Sequence, residues 1–154
     1  MNPVTNRMYV ANYHGNNVTV IDGATNSTTT VTVGSGPIAV AVNPVTNKIY
    51  VANEFSDGVT VIDGATNDTV TVTVGSHPTA VAVNPVTNKV YVANGDGSSV
   101  TVIDGSTNTT TAVAAGTGPS AVSVNPVTNK TYVANAISNN VTVIDGATSV
   151  AFLK

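Results

Sequence analysis

Apolar and polar residues alternate along most of this chain at a period of two. Thr79 to Val83 interleaves β-branched residues with alanine, Lys89 to Ala93 reads Lys-Val-Tyr-Val-Ala, and Val100 to Ile103 and Thr111 to Ala114 resume the pattern after polar breaks. Alternation of this kind predicts half-buried strands, and the Pro, Gly, Asn and Asp clusters between the runs predict turns. No stretch carries helical periodicity.

The same succession returns along the chain. Asn2-Pro3 recurs as Asn43-Pro44, Asn84-Pro85 and Asn125-Pro126, and Ile21-Asp22-Gly23 recurs at 62–64, 103–105 and 144–146, every step being 41 residues without insertion or deletion. Each step holds four short strands. In Asn84-Pro85-Val86-Thr87-Asn88-Lys89 the proline presets φ, Asn84 can cap the turn through its side chain, and Asn88 tolerates a left-handed backbone. Asp63-Gly64-Ala65-Thr66-Asn67 offers the same chemistry at a second hairpin. The strands therefore run up and down, with tight turns at one end and looser links at the other.

A four-stranded meander recurring about every 40 to 45 residues predicts an all-β fold, a β-propeller of four-stranded antiparallel blades. A parallel β-helix would repeat with shorter coils and without hairpins, and a sandwich of unrelated strands would not hold so regular a period. About 3.75 blades fit in residues 1–154, read as a single repeat domain with units 2–42, 43–83, 84–124 and an incomplete 125–154. The chain opens at a second-position strand and ends as an outermost strand begins. Three readings follow: a segment of a longer propeller, a natural or designed part-propeller that self-associates to complete the ring, or a closed ring of four blades.

Asn43-Pro44-Val45-Thr46-Asn47-Lys48-Ile49-Tyr50-Val51-Ala52-Asn53, followed by Val59-Thr60-Val61-Ile62-Asp63-Gly64, resembles the YVTN-family propeller repeat of archaeal and bacterial surface-layer and secreted proteins. The likeness covers essentially the whole chain, with Ala11, Ala52, Ala93 and Ala134 where the name-giving threonine would stand. It implies an innermost Pro-x-Ala-Val-Ala-Val strand, then the Tyr-Val-Ala-Asn strand, then Val-Thr-Val-Ile-Asp, and a Thr-rich strand outermost. It also implies an extracellular or cell-surface location, the alternative being a fragment or design made in the cytoplasm.

Composition narrows the functions. Only 8% of the 154 residues are charged and the net charge is -3, with five scattered basic residues, which argues against nucleic acid as a partner. The absence of cysteine excludes disulfides and thiolate chemistry. No apolar run is long enough for a transmembrane helix.

No catalytic, cofactor-binding or metal-binding motif stands out, so the expectation is a non-enzymatic scaffold without a cofactor. Asp22, Asp63, Asp104 and Asp145 precede glycine and read as turn caps. Tyr9, Tyr50, Tyr91 and Tyr132 read as inter-blade packing, each hydroxyl reaching a partner. Arg7, Lys48, Lys89 and Lys130 read as solvated residues beside turns. Asn17, Asn26, Asn67, Asn108 and Asn140 begin Asn-x-Ser/Thr sequences, which composition alone makes frequent here.

Individuality gathers where the repeat breaks. The loops after the Tyr-Val-Ala-Asn strands open on the same face as the blade links, so Tyr13, His14, Glu54, Phe55, Asp57, His77 and Asp96 share one side of the ring. Constant turns on one side and variable loops on the other suit a face that binds protein or glycan. The competing enzyme reading is a part of a lactonase-like or quinoprotein-like propeller whose site lies in other blades.

Overall fold

The structure is a computed structural model describing residues 1–154. Its strands form four antiparallel meanders, each a blade. Blade 1 holds β1 (Arg7–Asn12), β2 (Asn17–Asp22) and β3 (Thr28–Thr32). Blade 2 holds β4 (Pro37–Asn43), β5 (Lys48–Asn53), β6 (Gly58–Asp63) and β7 (Thr69–Thr73). Blade 3 holds β8 (Pro78–Asn84), β9 (Lys89–Asn94), β10 (Ser99–Asp104) and β11 (Thr110–Ala114). Blade 4 holds β12 (Pro119–Asn125), β13 (Lys130–Asn135), β14 (Asn140–Asp145) and β15 (Val150–Leu153). The chain is thus a partial β-propeller.

Turn chemistry sets the hairpins. Asn47 and Asn88 adopt φ of 54° and 53°, while Asn43 Oδ1 accepts the Val45 and Thr46 amides and Asn84 Oδ1 those of Val86 and Thr87. At the other hairpin Asp63 Oδ1 accepts the Ala65 and Thr66 amides, and Asp22, Asp104 and Asp145 cap their own turns likewise. A side-chain acceptor facing two amides holds the reversal in a polar setting, as an Asx-turn does. The last strand survives a change of composition. Val150 pairs with Asp145 and Leu153 with Thr142, the register of the preceding blades, although Ala-Phe-Leu has replaced Thr-rich sequence.

The core lies between blades rather than within them. Tyr50, Val59, Val61 and Val72 of blade 2 pack against Val90, Val92 and Ile103 of blade 3, and the joints on either side repeat the arrangement. Burying a side chain of this size contributes roughly 1.5 to 3 kcal/mol, so each sheet depends on its neighbour for stability. The rings of Tyr9, Tyr50 and Tyr91 pack between blades as expected and that of Tyr132 does not, while the hydroxyl expectation fails for the three buried rings. The hydroxyls of Tyr9, Tyr50 and Tyr91, carried inward with their rings, make no hydrogen bond of normal geometry in the protein.

Polar bonds between blades recur with the same regularity. Asn2, Asn43 and Asn84 each donate Nδ2 to the left-handed turn asparagine of the next blade, namely Asn47, Asn88 and Asn129, at 2.8 to 2.9 Å. Arg7, Lys48 and Lys89 reach the carbonyls of Gly64, Gly105 and Gly146 in the next blade. These cations are inter-blade ties and not the free solvated residues the sequence suggested. A further relay fixes the links: the Thr60, Thr101 and Thr142 hydroxyls accept Nδ2 of Asn53, Asn94 and Asn135 and also the amides of Gly34, Gly75 and Gly116.

Candidate binding face

The loops after β1, β5, β9 and β13 and the blade-to-blade links lie together at one end of the meanders. The first two loops fold as single 3₁₀ turns, Tyr13–Gly15 and Glu54–Ser56, each closed by a left-handed residue, Asn16 and Asp57. Those closing residues hold the links. Asn16 Oδ1 accepts the Gly36 amide and Asp57 Oδ1 accepts the His77 amide. One oxygen of Asp57 therefore serves the scaffold.

The second residue of each loop covers the link that arrives beside it. Phe55 lies over Gly36, whose φ of 65° and closeness to the ring leave no room for a side chain. Ile137 lies over Gly118 in the same way. In the intervening blade the link residue is His77, held at φ 49°, and the covering residue is Asp96, whose Oδ2 stands 3.1 Å from His77 Nδ1. A left-handed backbone disfavours a side chain with a Cβ. This joint alone of the three replaces a glycine under an apolar cover with an imidazole facing a carboxylate.

Six of the seven residues singled out in the sequence are joined in one strip across blades 1 to 3. His14 meets Tyr13 edge-on with centroids 5.0 Å apart, Tyr13 meets Phe55 at 5.6 Å, and Phe55 meets His77 at 6.1 Å. Edge-to-face contacts in this range are favourable beyond the area they bury. The Tyr13 hydroxyl donates to the Glu54 carboxylate, a bond that holds the phenol above its ordinary ionisation range. Asp96 ends the strip, and Asp57, itself exposed, holds the His77 backbone amide.

Exposure makes the strip accessible. Phe55 is 59% exposed, and His14 and Asp96 are also exposed. Two aromatic rings with flanking acids and imidazoles offer stacking surface and hydrogen-bonding groups together. Sequence inspection missed the contact between link residue and loop residue, although a histidine at a position held by glycine in the neighbouring copies was its visible signal.

The widest hollow lies elsewhere. A groove of about 310 Å³ opens between blades 2 and 3 beside Lys48, Asp63 and Asp68, on the side of the tight turns. Its Asp63 carboxylate is committed to the Ala65 and Thr66 amides, which hold it below the ordinary carboxylate range.

No protein-family model and no curated protein sequence matches the chain. Solved structures do. The chain is similar over 100% of its length to a Kuenenia stuttgartiensis hydrazine synthase chain, with 26% identity and a TM-score of 0.87, covering 47% of that chain. It is similar over 99% of its length to dihydro-heme d1 dehydrogenase NirN in complex with DHE, at 16% identity, TM-score 0.82 and 34% of that chain. The U3-55K structure matches over 99% of this chain at 11% identity and TM-score 0.84, covering 49% of its own length. All three are β-propeller proteins, and the latter two speak to fold alone. The chain spans about half or less of each. No helix is long and apolar enough to cross a membrane.

Proposed function

We propose that this chain is a non-enzymatic propeller scaffold of the YVTN-repeat kind, with a loop face that binds a protein or glycan ligand at a cell surface or surface layer. The aromatic strip carries this reading. Four side chains from two successive copies of the repeat, each different from its counterparts, meet edge to face on the variable side of otherwise constant blades. The innermost strands β4, β8 and β12 contribute no carboxylate or imidazole toward a central site, which supports a binding role over catalysis. The outermost β3, β7 and β11 present exposed threonines, a surface suited to an aqueous exterior.

Retention of the chain on immobilised glycans and on surface-layer protein, with and without Tyr13→Ala/Phe55→Ala, tests the proposal. Removing both rings is expected to cut retention at least tenfold while the melting temperature holds. Equal retention by the double variant overturns it.

Self-association to complete the propeller belongs to the same proposal. A second reading, in which the chain is part of a propeller enzyme, is favoured by its 26% identity to the hydrazine synthase chain over its full length. A large Ca²⁺-dependent rise in melting temperature would move the balance toward that reading.

A further inference from the structure

The two end blades carry opposite halves of one joint. Within the chain every joint has three parts: an asparagine donating to the next blade's turn asparagine, a cation reaching the next blade's Gly carbonyl, and a tyrosine laid against the next blade's β-branched residues. Blade 4 presents the donating half without a neighbour. Asn125 and Lys130, the counterparts of Asn43 and Lys48, are exposed and bond to no other blade, and Tyr132 is 42% exposed where Tyr50 is at 0%. An apolar hollow of about 240 Å³ lies beside Tyr132 and Val141.

Blade 1 presents the accepting half. Asn6 has the left-handed φ of 52° shared by Asn47 and Asn88, yet no side chain donates to it. The Gly23 carbonyl, counterpart of Gly64 and Gly105, receives no cation. Val10 is 47% exposed, whereas its counterparts Val51 and Val92 are fully buried.

We infer that the uncovered face of blade 4 docks on blade 1 of a second copy of this chain, head to tail. Asn125 Nδ2 donates to Asn6 Oδ1 of the second copy, Lys130 Nζ reaches its Gly23 carbonyl, and the Tyr132 ring covers its Val10 and Ile21. The joint continues an interface that the chain forms three times internally, which is why the occupant is a further blade of this repeat and not an unrelated partner. One internal component is missing from it. Blade 1 is three-stranded in this structure, so the contacts that β8 makes on β4 and β5, and β12 on β8 and β9, have no equivalent, and the joint is weaker than those between blades 2 and 3 and between blades 3 and 4. A heterologous joint closes into a ring or extends into a chain of copies.

Sedimentation equilibrium of the 154-residue chain over a hundredfold range of concentration is the test. Mass rising above that of one chain is expected. Tyr132→Asp and Val10→Asp each spoil one half of the joint, so each alone is expected to stay monomeric, while their mixture forms a complex of two chains and no larger. Circular dichroism of both variants checks that the blades remain folded. Monomeric wild type throughout, association that survives both substitutions, or a mixture that stays monomeric overturns the inference. If either variant fails to fold, Lys130→Ala/Asn125→Ala replaces it on the blade 4 side and Asn6→Ala on the blade 1 side, read by the same masses.

Discussion

His77 faces Asp96 at 3.1 Å in the place where the neighbouring joints set Gly36 beneath Phe55 and Gly118 beneath Ile137. The imidazole stands at φ 49°, where glycine is the easier residue. An exposed contact of this kind contributes at most about 1 kcal/mol, no more than the roughly 1 to 2 kcal/mol that a left-handed residue costs. His77→Gly is therefore expected to leave thermal stability unchanged or slightly raised while it weakens ligand retention on the loop face. A substantial loss of melting temperature would show that the pair serves the fold.

The asparagine ties can be weighed by comparing equivalent positions. Asn84 and Asn125 both cap their own turns, but only Asn84 also donates to the next blade, at Asn129. Asn84→Ala is expected to cost about 1 kcal/mol more than Asn125→Ala in dilute solution, because it removes a part-buried hydrogen bond between blades. Urea unfolding of both variants gives the difference, and equal losses would mean that the tie contributes nothing.

Tyr50 invites the opposite test. Its ring is fully buried and its hydroxyl has no protein partner, and burial raises its ionisation above the ordinary phenol range. Tyr50→Phe should be neutral or stabilising by up to about 1 kcal/mol, whereas Tyr50→Ala should lose about 3 to 5 kcal/mol. A clear loss in the Phe variant would reveal a partner for the hydroxyl.

Acid sensitivity should follow the turn carboxylates. Asp22, Asp63 and Asp104 are held below the ordinary Asp range chiefly by backbone amides, those of Thr25, Ala65 and Ser106 first. A carboxylate depressed on folding contributes in full above its unfolded value, about 3.9, and loses that contribution as the pH falls through its lower folded value. Melting temperature should decline as pH drops below about 4. Asp63→Asn/Asp104→Asn should flatten that decline, since the amide oxygen still accepts the turn bonds and no longer titrates.

Strands and turns were legible because their causes are local. The β-branched alternation and the Asn-Pro and Asp-Gly turns act within a few residues, and their φ values and caps came out as the side chains required. The ties between blades were hidden for the opposite reason. Lys48 and Gly105 are 57 residues apart and Asn43 and Asn88 are 45 apart, so only the stacking of sheets brings them together. Grouping of the loop residues on one face followed from strand direction. Their contacts did not, because they depend on each link folding back under the neighbouring loop, which no single copy of the repeat reveals.

Each turn asparagine also has a larger consequence. Asn47 accepts from the blade before it while Asn43, four positions earlier, donates to the blade after it, so every unit carries both sexes of the same connector. Nothing inside a unit counts how many stand on either side. Gene duplication or deletion in whole multiples of 41 codons would leave every remaining connector matched, so the length of such an array is free to change by recombination without repair elsewhere.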